Sequence, residues 1–305
     1  MITLNSLNIP LWTALVTPLT DAGNPDMESM EQLLREQEEA GNGVLILGST
    51  GEALNLSDEE RRLIVEFTLS LNLNIPVMVG VGGHDLPGIT SWLYFLETKN
   101  IDAYLMVTPL YSKPGPEGQY HWFKTLMDMV TRPVMLYNIP GRTGAALHLD
   151  AVRRLRDHRN FWAIKEASGS VDDFCEYGSV CGDVRLFSGD DLMLPRFVPH
   201  GASGVVSVAG NVWPKATHRY AEMALNGELN EEDRAFWEKA SKSMFIASNP
   251  VPAKAVLCSE SRIRTPEVKL PLHRDDMTSL DQVCEISRKV AEWYRKRSHA
   301  GVSLS

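Results

Sequence analysis

The chain is poor in everything that would mark a stapled, metal-dependent or membrane-bound protein. It has four cysteines in 305 residues (Cys175, Cys181, Cys258 and Cys284), with no CxxC pair and no spacing suited to zinc. That count excludes a disulfide scaffold, and reduced thiols in a cytoplasmic protein are the expectation. No apolar run nears the roughly 20 residues that span a bilayer. The opening stretch MITLNSLNIPLWTALVTPL has neither a basic n-region nor a small-residue cleavage site. Basic residues are in the minority, 30 Lys and Arg against 39 Asp and Glu, for a formal net charge of −9. Neither nucleic acid nor a membrane surface is therefore expected as a partner. There is no Walker A loop, no nucleophile-elbow serine and no HExxH. GVGGHDLPG falls short of a dinucleotide fingerprint because Asp85 takes the third glycine position, and the eight histidines are scattered. No metal and no cofactor is expected.

What is present is an ordinary globular composition, 44% hydrophobic and 23% charged, with a strongly repeating order. Short apolar runs fall at Leu11 to Val16, Val44 to Leu47, Val77 to Val81, Ala103 to Val107, Val134 to Tyr137, Ala163 to Lys165, Val184 to Phe187 and Gly204 to Val208. They are continuous rather than alternating, which suits parallel strands covered on both faces. Helical stretches lie between them with readable starts and stops. Ser57 with Glu60 forms a capping box, Asp85 precedes a proline near the first helical positions, Asp150 opens DAVRRLRDH, and Gly41 closes the first helix. Eight β-then-α units predict a (β/α)8 TIM barrel over residues 1–226. Beyond it the sequence reads only as helices, a C-terminal helical extension over 227–305.

Barrel enzymes work at the C-terminal ends of their strands. Those ends carry Thr17, GSTGE (48–52), TPLY (108–111), YNIPGRTG (137–144), Lys165, SGDD (188–191) and SVAGN (207–211). They lack the carboxylate cluster of a metal-dependent barrel and instead offer an amine, two phenols, small hydroxyls and a guanidinium. Lys165 ends an apolar run, where it is either a strand-end lysine snorkelling to solvent or a working amine. An amine that attacks a carbonyl needs its pKa brought down from about 10.4 by burial or a neighbouring cation. Glu166 next to it should point away from the barrel interior, as a helix-side ion-pair partner. GSTGE can cradle a carboxylate on successive N–H groups and two hydroxyls, or can be a plain tight turn. Tyr137 and Tyr111 are packing aromatics or proton carriers.

Taken together, GSTGE, YNIPGRTG, IKEASG, SGDD and NPVPAK, in this order on an eight-unit barrel pattern, resemble the dihydrodipicolinate synthase/N-acetylneuraminate lyase family. The resemblance covers essentially the whole chain. It implies a Schiff-base lyase in which Lys165 forms the imine with pyruvate and Tyr137 donates and accepts protons. It also implies that Ser49 and Tyr111 complete a proton relay, Tyr111 reaching across from a neighbouring subunit of a homotetramer built as a dimer of dimers. Thr50 and Gly51 would hold the pyruvate carboxylate, and Gly189 and Val206 would line the pocket through their backbones. Arg142, directly after YNIPG, fits the synthase branch, where the arginine holds the carboxylate of L-aspartate-4-semialdehyde; the sialic-acid lyases typically lack it. Ser49 stands where most synthases have threonine, a pattern common among the lyases. The expectation is condensation of pyruvate with the semialdehyde in lysine and diaminopimelate synthesis. The alternative is another pyruvate aldolase acting on a sialic acid, a 2-keto-3-deoxy sugar acid or a hydroxy-oxoglutarate. A barrel that only binds is disfavoured by the complete residue set. Gly88, His84 and Leu110 fall where lysine-sensitive members carry their ligands, and Asp58 and Arg61 are expected to pair with each other. Inhibition by lysine should therefore be weak or absent.

Overall fold

A computed structural model describes residues 7–299. The two chain ends, residues 1–6 of the segment read as barrel and 300–305 of the segment read as extension, lie outside the described residues. The strands are β1 (Leu11–Ala14), β2 (Gly43–Ile46), β3 (Val77–Val81), β4 (Ala103–Val107), β5 (Val134–Asn138), β6 (Phe161–Glu166), β7 (Arg185–Ser188) and β8 (Ala202–Ser207). They close in sequence order into a barrel, every neighbour parallel and β8 returning to β1. Nearly every strand residue is buried, as expected when helices cover the outside and side chains fill the inside.

The helices are α1 (Met27–Ala40), α2 (Asp58–Ser70), α3 (Leu86–Glu97), α4 (Pro116–Asp128), α5 (Pro140–Thr143), α6 (Leu149–Leu155), α7 (Val171–Val180), α8 (Leu194–Phe197), α9 (Pro214–Leu225), α10 (Glu231–Ser243), α11 (Val251–Ser259) and α12 (Leu280–His299). Their starts follow side-chain chemistry. Ser57 and Glu60 close a reciprocal capping box on α2, and the Asp85 carboxylate accepts from the Gly88 amide at the start of α3. Gly41 ends α1 in the left-handed region at φ 71°, where a side chain would be strained. Asp150 does not cap α6: the helix starts at Leu149, and Asp150 lies in its first turn, where its charge suits the helix dipole. The four-residue helices α5 and α8 had no periodic pattern to betray them.

Two layers of core result. One lies between strands and helices; the other fills the barrel with Trp12, Leu45, Met78, Met135, Trp162 and Phe187. Trp162 packs edge-on against Trp12 at 6.0 Å between centroids and tilts against Phe187 at 5.6 Å. These rings make an apolar layer inside the barrel, with Phe187 paired in register beside Lys165. Gly43 leaves them room, since a Cβ there would come within 2.7 Å of the Trp12 ring.

The extension joins the same core. Trp237 of α10 stacks on Tyr220 of α9 at 4.3 Å and meets Trp293 of α12 edge-on at 5.1 Å. The indole N–H groups of Trp293 and Trp213 donate to Asp233 and Ser287. Among the described residues no helix is long and apolar enough to cross a membrane.

Candidate active site

Lys165 and Tyr137 face each other across adjacent strands, paired in register on β6 and β5. Both are buried, at 4% and 5% exposure, and the Lys165 Nζ sits 4.1 Å from the centroid of the Tyr137 ring. Burial is the main force on the amine and brings its pKa from 10.5 down to about 7. The Arg142 guanidinium adds to that fall, while the Asp191 and Asp190 carboxylates oppose it. Burial likewise pushes the Tyr137 phenol up to about 12, against the pull of Arg142 and of the neighbouring Ser49 hydroxyl. At neutral pH the site thus holds an amine that is neutral about half the time and a phenol that keeps its proton. Gly189 leaves space for the lysine stem: a Cβ there would lie 3.0 Å from both Cγ and Cε of Lys165.

Beside Tyr137 opens a cavity of about 360 Å³ whose walls include Ser49, Leu54, Arg61, Leu105, Tyr137 and Arg142, while Lys165, Thr50, Gly51, Gly189 and Val206 lie behind its walls. Arg142 lies on α5, exposed at the cavity wall, and no ion pair among the described residues engages it. Arg61 pairs with Asp58, as the sequence suggested, and lies over the Trp92 ring. The turn after β2 carries Ser49, exposed, and Thr50, buried. No acceptor among the described residues takes the Thr50 and Gly51 amides, while the Gly51 carbonyl accepts from Thr17 at 2.8 Å. Such a turn offers N–H groups to an anion. Val206 is wholly buried in the barrel interior with Tyr137 and Phe187.

Tyr111 is the residue that the single chain does not bring in. It is 88% exposed, at a left-handed φ of 63°, and is not part of the cavity wall. Glu166 departs from expectation in another way. It alternates with Lys165 but finds no cation among the described residues; its carboxylate accepts from the Asn138 amide and the Ser168 N–H, both at 2.6 Å. Neutral donors satisfy it, and burial raises its pKa.

Three further residues escaped sequence reasoning. Asp191 accepts from the Val208 and Ala209 N–H groups at 3.0 and 3.1 Å, close enough to Lys165 to stabilise its protonated form. Asn249 donates to the Thr50 hydroxyl at 2.9 Å, and Lys254 donates to Glu52 at 2.5 Å. Their motifs, SGDD and NPVPAK, were visible, but their partners lie elsewhere in the chain. Among the described residues no group of three His, Cys, Asp or Glu side chains is placed to hold a metal ion.

A closed barrel with a buried lysine and phenol beside a cavity walled in part by Arg142 agrees with the family comparison, and the chain belongs to the Dihydrodipicolinate synthetase family, whose model matches residues 9–289. Among curated relatives, the 4-hydroxy-tetrahydrodipicolinate synthase of Wolbachia pipientis (strain wPip) is 44% identical over 284 residues, 93% of this chain and 96% of its own. That of Francisella tularensis subsp. novicida is 43% identical, covering 94% of this chain and 98% of its own. Among solved structures, the 4-hydroxy-tetrahydrodipicolinate synthase of Methylacidiphilum fumariolicum SolV superposes with a TM-score of 0.88 at 29% identity, covering 94% of this chain and 98% of that one.

Proposed function

We propose that the chain condenses pyruvate with L-aspartate-4-semialdehyde to 4-hydroxy-tetrahydrodipicolinate, the entry to lysine and diaminopimelate, through an imine on Lys165. The observation that carries this reading is the amine itself, buried against Tyr137 with its pKa near 7. An ordinary lysine at pH 7 is neutral about once in 2,500; one with a pKa near 7 gains roughly three orders of magnitude in nucleophile.

In this reading the neutral Lys165 amine attacks C2 of pyruvate, and the carbinolamine loses water to give the imine. Tyr137 hands over and takes back the protons of these steps, a task suited to a phenol that stays protonated until about pH 12. The protonated imine then draws electrons as a C3 proton leaves, the enamine carbon attacks the aldehyde, and the alkoxide formed takes up a proton. The semialdehyde's amino group then adds to C2 and expels the Lys165 amine, closing the ring of the product. Thr50 and Gly51 hold the pyruvate carboxylate and Arg142 the carboxylate of the semialdehyde, the guanidinium matching it bidentately. Gly189 and Val206 shape the pocket behind the imine. Ser49 continues the proton path from Tyr137 towards solvent, and Tyr111 completes it from a second copy. The exposure of Tyr111 supports that assembly, a dimer of dimers in which this phenol enters the neighbour's site.

The test is reductive trapping. Borohydride with pyruvate should add a pyruvate-derived mass to the wild type, located at Lys165, and none to Lys165→Ala. An unmodified wild type would refute the imine. Activity on N-acetylneuraminate without condensation would favour the alternative acceptors.

A further inference from the structure

We propose that Asn249 sets the polarity of the Thr50 hydroxyl, making it a hydrogen-bond donor to the carboxylate of the bound keto acid. This rests on the reading that Thr50 and Gly51 hold that carboxylate. Asn249 lies 199 residues from Thr50 in sequence, is 5% exposed, and donates its Nδ2–H to the Thr50 Oγ1 at 2.9 Å.

A hydroxyl has one hydrogen to give and two lone pairs to receive. Once an Asn249 N–H fills a lone pair of Oγ1, the Thr50 hydrogen points elsewhere, and no acceptor among the described residues takes it. It is left for an anion in the turn, beside the unclaimed Thr50 and Gly51 amides. Were the amide turned over, Oδ1 would take that hydrogen and the oxygen would present only lone pairs to a carboxylate. The two orientations therefore differ in whether Thr50 attracts or repels the substrate.

The other half of the amide has no partner: Asn249 Oδ1 is buried without a hydrogen bond among the described residues, so the contact to Thr50 is what distinguishes the two orientations. The backbone around it is anchored. Lys254, on the helix that follows, donates to Glu52 at 2.5 Å and to the Glu267 carbonyl at 2.7 Å, and the Lys269 N–H donates to the other Glu52 oxygen at 2.6 Å. The C-terminal extension thus grips the turn at Thr50 and again at Glu52. Asn249 is a positioning residue: it acts on the keto acid only through Thr50.

The experiment is a double-mutant cycle on the full-length enzyme, reading the KM for pyruvate, the KM for semialdehyde, kcat, and the rate of borohydride trapping at low pyruvate. Asn249→Ala should raise the pyruvate KM roughly tenfold, the scale of one hydrogen bond to a charged group, with the semialdehyde KM and kcat little changed. Beside Thr50→Val it should add nothing beyond about a factor of two. An equal rise in both backgrounds overturns the proposal while leaving the role of Thr50 intact. A normal pyruvate KM in Thr50→Val alone refutes the carboxylate assignment itself. If Asn249→Ala does not assemble, the uncharged, near-isosteric Asn249→Leu answers the same question. Its effect on the pyruvate KM must be several-fold smaller beside Thr50→Val, and an undiminished effect overturns the proposal.

Discussion

Replacing Lys165 with methionine should abolish activity and make the protein more stable, by an amount that depends on pH in a defined direction. The native lysine has its pKa depressed from 10.5 to about 7, chiefly by burial. The unfolded chain therefore binds the proton more tightly than the folded one, which weakens folding. The penalty is complete below the folded pKa, declines as pH rises from about 7 towards 10.5, and is gone above it. A methionine of similar length carries none of it. From the two pKa values, the stability gap between variant and wild type is about 4 kcal/mol at pH 7, shrinking to about 2 kcal/mol at pH 9. Chemical denaturation of both proteins without pyruvate, at one subunit concentration and at several pH values, reads this gap directly. Saturating pyruvate should stabilise only the wild type. A gap that is absent at pH 7, or that widens with rising pH, would mean the amine is not held in a desolvated, low-pKa state.

Arg142→Ala should leave pyruvate trapping intact while weakening use of the semialdehyde by about ten- to a hundredfold, as expected for one charge-assisted pair; unchanged semialdehyde kinetics would sink the assignment. Gly189→Ala should lower the melting temperature and slow imine formation together, because its Cβ would come within 2.6 Å of the Ala167 Cβ and 3.0 Å of Lys165 Cε and Cγ; normal trapping rates would contradict that geometry. Lys165→Ala and Tyr111→Phe subunits, each crippled alone, should regain activity when co-assembled, since one mixed site then has both wild-type groups; silence on mixing argues that Tyr111 serves its own chain. L-lysine should not half-inhibit condensation below millimolar levels, because Gly88 has no side chain to pair with an ammonium and Leu110 no ring to cover it.

The barrel was legible because its signal is local and repeated. Each apolar run became a strand displaced by only a few residues at its ends, and Ser57 with Glu60 capped α2 as read. Lys165 was legible as a residue out of place in such a run. What stayed hidden was partnership. Glu166 was read as a helix-side ion-pair partner because strand alternation turns it away from the barrel interior, yet its partners are the amide of Asn138, 28 residues away, and a nearby backbone N–H. The ties of Asn249 to Thr50 and of Lys254 to Glu52 span 199 and 202 residues, distances over which spacing carries no information. The short helix α5, which holds Arg142, is too brief for any periodicity.

The pairing of β5 with β6 sets Tyr137 beside Lys165 and Asn138 beside Glu166, with successive side chains on opposite faces. Each strand end is thus a two-letter word read on both sides of the wall, chemistry within and a carboxylate–amide latch without. Deleting or inserting a single residue just upstream in β6 would exchange the two letters, facing a carboxylate into the pocket and leaving the amine among the helices. A point substitution leaves the alternation of faces intact, but a change of length within a strand does not. Length variation among working relatives should accordingly collect in the loops and the C-terminal extension, while Tyr137–Asn138 and Lys165–Glu166 keep their facing positions at the two strand ends.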